Sequence, residues 1–308
     1  MTINAFSIVM YVTLLLIFSP NNMTADVRSN YVTHSQSSIK PISYSVYLPP
    51  SYDDDDGRDY PVLYLLHGGG AGQPSDWFTL AGIDQILDQM ILSGTIRPLI
   101  AVSPDGRVDE KNEVATYFLN DADGSRLWEQ NFIDSFIPLV ESRYRTIGDP
   151  NSRAILGISM GGMAAAIYQL RYPNTFAGIA ALSASFRTDK QLLALSNKDY
   201  KARFETVLGP DLHGQDRITQ EWEDLRPHSM IQTTEISRFS RIPRFYFDIG
   251  ADDPFFEGSA DLHLAFRDSG LRHRFRVSEG THDWLFWRNA LPEALRHIDA
   301  VLTRGYGE

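Results

Sequence analysis

One serine stands in a setting where it could act as a nucleophile. Ser159 lies in Gly157-Ile158-Ser159-Met160-Gly161, a G-x-S-x-G pattern. The run Ala154-Ile155-Leu156-Gly157-Ile158 before it is short, apolar and β-branched, as a buried strand should be, and Met160 to Leu170 carries the small and apolar residues of a buried helix. The serine therefore falls where a strand turns into a helix. Such an elbow forces its central residue into a strained backbone conformation and needs small neighbours two positions away, a requirement Gly157 and Gly161 meet. It would lift the hydroxyl off the end of a sheet and aim a helix N-terminus, with the backbone N–H of Met160, at an oxyanion formed during acyl transfer.

A serine hydroxyl also needs a base, an acid that orients the base, and a second oxyanion donor. His282 stands in Glu279-Gly280-Thr281-His282-Asp283-Trp284, just past a strand predicted over Arg274-Phe275-Arg276-Val277, where it could serve as general base and then general acid. The other histidines are placed less well: His263 and His297 fall in helical stretches, His273 precedes the last strand, and His34, His213 and His228 lie in polar segments. Chain order Ser…Asp…His asks for an acid after the strand Arg244 to Gly250, in the turn Ala251-Asp252-Asp253-Pro254. Asp248 sits within that strand, so the sheet fixes its side chain away from a histidine loop. The apolar strand Pro61 to Leu66 delivers His67-Gly68-Gly69-Gly70, a loop whose N–H groups could approach a substrate oxygen with no side chain in the way. Gly69 N–H is the second oxyanion donor in this reading, and His67 orients the loop. A phosphate cradle is the rival, but no Gly-Lys-Ser/Thr follows and the G-x-G-x-x-G spacing is absent.

The elements that must hold these groups alternate. Strands are expected at Ser43 to Leu48, an outer strand before Pro49-Pro50, and at Pro61 to Leu66, Pro98 to Ser103, Ala154 to Ile158, Ala177 to Leu182, Arg244 to Gly250 and Arg274 to Val277. Helical periodicity covers Ile83 to Leu92, Leu127 to Tyr144, Met160 to Leu170 and Asp261 to Ser269. In the second of these Trp128, Phe132, Phe136 and Val140 form a core stripe, and Pro138 should kink it. This alternation implies an α/β fold, a mostly parallel central sheet with helices on both faces. Asp26 to Ser38 is polar and suggests no element. Phe186 to Arg241 is polar, helix-prone and free of buried-strand runs, which marks residues 186–241 as an insertion over the active end of the sheet, a cap or substrate wall.

Composition narrows the function classes. The 308 residues are 43% hydrophobic and 12% aromatic, enough for one large core, so residues 26–308 are read as a single catalytic domain. A net charge of −11 argues against a nucleic acid or an anionic membrane as partner. With no cysteine there is no disulfide framework, thiolate metal site or cysteine nucleophile. Ala5 to Phe18 is an almost uncharged apolar run of signal-peptide length, too short for a comfortable span. Residues 1–25 are thus expected to be a leader directing the chain to a secreted or periplasmic location, with an uncleaved N-terminal anchor as the alternative. The leader has no Lys or Arg in its first residues and no clean A-x-A near Ala25. The acidic run Asp53 to Asp56 lacks the spaced ligands of a Ca²⁺ loop and reads as a solvated turn. No metal and no cofactor is expected.

Four segments together resemble the esterase D and feruloyl or acetyl-xylan esterase type of the α/β-hydrolases: Leu65-Leu66-His67-Gly68-Gly69-Gly70, Ser103-Pro104-Asp105-Gly106-Arg107, Gly157-Ile158-Ser159-Met160-Gly161-Gly162 and Gly280-Thr281-His282-Asp283-Trp284. The resemblance spans about Ser43 to His297. It implies the α/β-hydrolase fold and a serine carboxylesterase with Ser159, Asp253 and His282 as triad and the N–H groups of Gly69 and Met160 as oxyanion hole. The family pattern of glycine, two residues, then aspartate selects Asp253 over Asp252, and Pro254 adds a reason, since a residue before proline is driven to extended angles. The resemblance does not fix the acyl group; the expected substrate is a small-molecule or oligosaccharide ester with a short-chain or aromatic acyl group, acetyl or feruloyl among them, such as acylated plant polysaccharide fragments, cleaved through an acyl-enzyme. An acyltransferase using the same triad is the alternative, and an S-formylglutathione hydrolase or an inactive binding module are more remote ones.

Overall fold

A computed structural model describes residues 26–32, 42–50, 52–54, 57–108, 111, 113–233 and 244–303. The leader expected at 1–25, Asp55 and Asp56 of the acidic run, and residues 234–241 of the expected insertion lie outside the described residues; Asp53 and Asp54 are exposed in a turn. The strands are β1 Asp26–Val32, β2 Ser43–Leu48, β3 Val62–Leu66, β4 Ile100–Pro104, β5 Arg153–Ile158, β6 Gly178–Leu182, β7 Phe245–Gly250 and β8 His273–Ser278. They form one sheet in the order β1-β2-β4-β3-β5-β6-β7-β8. Every pairing from β4 to β8 is parallel, whereas β2 joins β4, and β1 joins β2, antiparallel. This is the mostly parallel arrangement the sequence implies.

The near edge corrects that reading in one respect. Asp26–Val32, polar and read as no element, is a strand, and it pairs outside β2 through Val27 with Tyr47 and Tyr31 with Tyr44. Ser43–Leu48 is consequently an inner strand, with Tyr44, Val46, Tyr47 and Leu48 all buried. Main-chain pairing holds a polar edge strand, and hydrophobic periodicity does not register it.

Alternation along the inner strands divides the core in two. Tyr64, Leu66, Ile155, Ile179, Ala181, Phe245 and Phe247 face one side with the helices Met160–Arg171 and Phe256–Asp268. Leu63, Leu65, Leu156, Ile158, Leu182 and Tyr246 face the other, under the helices Ile83–Leu92 and Trp284–Thr303. The helix Met160–Arg171 is buried from its first residue to Leu170, because further helices cover its outer side. Tyr168 on it stacks on Phe132, centroids 5.5 Å apart.

Phe132, Phe136 and Val140 are buried as their spacing predicts. The disruption expected at Pro138 takes the form of a π-helical stretch, Phe132–Phe136, between the α segments Trp128–Asn131 and Ile137–Arg143. Proline has no N–H for the carbonyl four residues back, and Ile137 N–H instead reaches Phe132 O, five residues back.

The insertion after β6 is helical, with Asp189–Leu193, Asn197–Arg203, Glu205–Leu208, Gln220–Leu225 and Pro227–Thr233 gathered around buried Tyr200, Phe204 and Trp222. Among the described residues no helix is long and apolar enough to cross a membrane.

His297, on the last helix, packs its ring 5.3 Å from Tyr246 beneath the sheet. Burial, with Arg274 and Arg244 nearby, pushes its pKa down to about 4. The unfolded chain binds this proton near pH 6.5 and the folded chain does not, so stability is lost as pH falls from about 6.5 toward 4. Urea unfolding should show His297→Phe losing about 2 kcal/mol less than wild type between pH 7 and pH 5. Equal losses in the two proteins would exclude His297 as a source of acid sensitivity.

Candidate active site

Ser159 links β5 to the helix Met160–Arg171 with φ 51° and ψ −115°, a conformation that costs a non-glycine residue roughly 1–3 kcal/mol. The end of β6 holds it there. Ser159 N–H donates to Leu182 O at 3.0 Å, and Ser159 O accepts from Ser185 N–H at 3.0 Å and Met163 N–H at 3.1 Å. The flanking glycines answer to contact. A Cβ on Gly157 would lie 2.1 Å from Gly161 O, and one on Gly161 would lie 2.2 Å from Leu66 O. The helix therefore starts directly against the end of β3, and the loop that follows β3 runs beside the serine.

In that loop a Cβ on Gly68 would lie 3.7 Å from Ser159 Cβ, and one on Gly69 would lie 3.5 Å from Met160 Sδ. The backbones of Gly69 and Met160 share one wall of a cavity of about 400 Å³ into which Ser159 and His282 also open. Met160 begins the helix, so its N–H belongs to the set left without an intrahelical acceptor. The loop is fixed from beneath by His67, fully buried. Its Nε2 accepts Gly106 N–H at 3.0 Å, which leaves Nδ1 to donate to Gly68 O at 2.8 Å. Burial lowers its pKa, in keeping with a neutral ring. The segment Ser103-Pro104-Asp105-Gly106-Arg107, legible only as a resemblance, thus seats the glycine loop. Asp105 is itself clamped by Arg107 through two bonds of 2.8 Å.

The acid and the base arrive on adjacent turns. Gly250 closes β7 so tightly against the next loop that a Cβ there would meet Gly280 O at 2.3 Å, and Asp252 N–H donates to Gly280 O at 3.0 Å. Asp253 is buried. One carboxylate oxygen accepts Phe255 N–H at 2.9 Å and the other faces His282 Nδ1 at 2.9 Å. His282 Nε2 lies 2.9 Å from Ser159 Oγ. Edge-on contacts from Phe255 at 5.0 Å and Trp287 at 5.1 Å fix the ring between them. With Nδ1–H donated to the carboxylate, Nε2 is the nitrogen free to take the serine proton.

Of the two other acids weighed, Asp252 is exposed, and Asp248 accepts from Tyr246 OH at 2.8 Å beside Arg276, away from the relay. Ser185, Arg187, Asp199, Ala202 and Arg203 from the insertion side also line the cavity, together with Tyr117. Neither Tyr117 nor Arg187 is marked by motif or spacing as a cavity residue; two consecutive left-handed residues, Tyr117 at φ 52° and Phe118 at φ 56°, are visible only in the backbone.

Comparison with known proteins agrees with this architecture. A curated relative, Esterase Rv1288 of Mycobacterium tuberculosis, is 30% identical over 248 residues, 77% of this chain and 52% of the relative, so the chain spans about half of that protein's length. The acetyl esterase of Caldicellulosiruptor saccharolyticus is 28% identical over 255 residues, 80% of this chain and 86% of the relative. Among solved structures, a ferulic acid esterase superposes with a TM-score of 0.76 at 26% identity, covering 91% of this chain and 100% of the other. The profile of the Esterase family matches residues 35–298, from ahead of β2 into the last helix, and the chain, with its α/β-hydrolase sheet, belongs to that family.

Proposed function

We propose that this protein is a serine carboxylesterase that cleaves acetyl or aromatic esters, feruloyl esters of plant polysaccharide fragments among them. The observation that carries the reading is the continuous line from Asp253 through His282 to Ser159 Oγ, with both links at 2.9 Å, opening on the cavity. In this mechanism His282 Nε2 accepts the hydroxyl proton as Ser159 Oγ attacks the ester carbonyl. The tetrahedral oxyanion is received by the N–H groups of Gly69 and Met160, aided by the helix N-terminus. Collapse expels the alcohol, which takes the proton from His282, and leaves an acyl-serine. Water, deprotonated by His282, then releases the acid. No step calls for a metal or a cofactor.

The acetyl and feruloyl preference is supported by the names of the relatives above. The single sheet that the described residues form supports a single catalytic domain, and Arg187, Asp199, Ala202 and Arg203 in the cavity lining support the insertion as a wall of the substrate cavity. The apolar run Ala5 to Phe18 supports export.

Ser159→Ala should lower kcat by roughly 10⁶ while thermal unfolding stays close to wild type. A panel of 4-nitrophenyl acetate, methyl ferulate, acetylated xylan and S-formylglutathione should show the first three turned over. Activity within tenfold of wild type in the variant would remove Ser159 as nucleophile, and preference for the thioester would shift the substrate class.

The acid is tested separately. Asp253→Asn should cost roughly 10⁴ in kcat by leaving His282 in the wrong tautomer, and Asp252→Asn, at an exposed position, less than about tenfold. The reverse order in variants with native circular dichroism would move the acid one residue back.

A further inference from the structure

The cavity holds a cation that the ester chemistry does not use. Of the charged side chains lining it, Glu113, Asp199 and Arg203 are exposed, where water and salt screen them, while Arg187 is half-buried. Arg187 sits between two aromatic faces, its guanidinium carbon 4.5 Å from the centroid of Phe255 and 5.2 Å from that of Phe204. Its Nη1 donates to Tyr117 OH at 3.1 Å and approaches Ser185 O at 3.4 Å. Among the described residues no carboxylate pairs with it, and its Nε–H and Nη2 hydrogens have no protein acceptor. Those hydrogens form the planar fork that matches a carboxylate.

Tyr117 is held in a strained position of its own. Its ring stacks on Phe204 at 5.2 Å, and the left-handed turn at Tyr117 and Phe118 is pinned by Thr116 Oγ1, which accepts Phe118 N–H and donates to Gly106 O. Strain of this kind persists where the surroundings over-determine it, as at ligand clamps. The same Phe255 that carries Arg187 packs on the ring of His282, so the fork and the reacting atoms occupy one cavity.

We propose that Arg187, held by Phe204, Phe255 and Tyr117, is a specificity-determining residue that binds a carboxylate on the substrate, so that this enzyme favours esters bearing an acid group over neutral esters of the same shape. The proposal rests on the serine-esterase reading. Tyr117 OH, which accepts from Arg187, keeps its own proton to donate to the same anion. A charge-assisted bidentate contact in a half-buried site outweighs the screened field of an acidic surface.

The test compares matched esters: 4-acetoxybenzoate against 4-acetoxybenzamide places the charge on the alcohol side, and 1-naphthyl hemisuccinate against 1-naphthyl butyrate places it on the acyl side. In at least one pair the anionic member should have a kcat/KM about tenfold or more above the neutral one, chiefly through KM, and the gap should shrink at high salt. Arg187→Gln should erase the gap, lowering kcat/KM about tenfold more for the anionic member than for its neutral partner, and Arg187→Lys should keep part of it. If Arg187→Gln does not fold, the salt dependence and Arg187→Lys still decide. Equal slowing of both members, or no anionic preference in either pair while 4-nitrophenyl acetate is hydrolysed, would reduce Arg187 to an aromatic clamp and leave the esterase reading standing. Failure of wild type on 4-nitrophenyl acetate as well would remove both.

Discussion

The close approach of Gly161 to the carbonyls of Leu66 and His67 is the constraint on which the rest of the site depends. A Cβ at that position would stand 2.2 Å from Leu66 O and 2.7 Å from His67 O. Only because the helix can begin against the end of β3 does Ser159 stay in its left-handed conformation, with the glycine loop at its side. Elbow and glycine loop are in this sense one contact, and the strain at Ser159 is offset by hydrogen bonds from the end of β6 and from its own helix.

A second layer supports this contact with neutral buried polar groups. His67, uncharged and fully enclosed, ties the glycine loop to Gly106; Gly106 O accepts from Thr116, and Thr116 Oγ1 in turn holds the strained turn at Tyr117 and Phe118. Phe118 completes the circuit by packing edge-on against His67 at 4.9 Å. The site is therefore built at the carboxyl ends of parallel strands, where loops from β3, β4, β5, β6, β7 and β8 converge. The insertion lies above these strand ends, lines the cavity with Arg187, Asp199, Ala202 and Arg203, and is tied to the loop after β4 by Ala115 N–H donating to Ala202 O at 2.8 Å.

On the proposed reading, this division also separates bond-making groups from groups that would choose substrates. The former stand on strand ends and are fixed by backbone clearances too small for a methyl group. The latter, Arg187 and its aromatic neighbours, come from the loops after β4 and β7 as well as from the insertion, whose buried Tyr200, Phe204 and Trp222 are continuous with the core on that face of the sheet.

Local chemistry made much of this readable from the chain alone. Buried strands announce themselves as short apolar runs, and the spacing of Gly157, Ser159 and Gly161 speaks for a strand-to-helix turn, because both signals arise from neighbours in sequence. Asp253 is favoured over Asp252 by the pattern of the family the chain resembles, with the proline that follows it as an added local reason. What the chain could not disclose was whatever depends on contacts between distant segments. β1 is polar and exists through main-chain pairing with β2, the break ahead of Pro138 was absorbed by a π-turn, and the place of Asp105-Gly106-Arg107 emerged only once Gly106 N–H was seen to reach His67. Arg187 belongs to the same group: in sequence it is one cation in a polar stretch, and its half-buried seat between Phe204 and Phe255 is created by two loops, 51 residues apart at those phenylalanines, that only the packed sheet brings together.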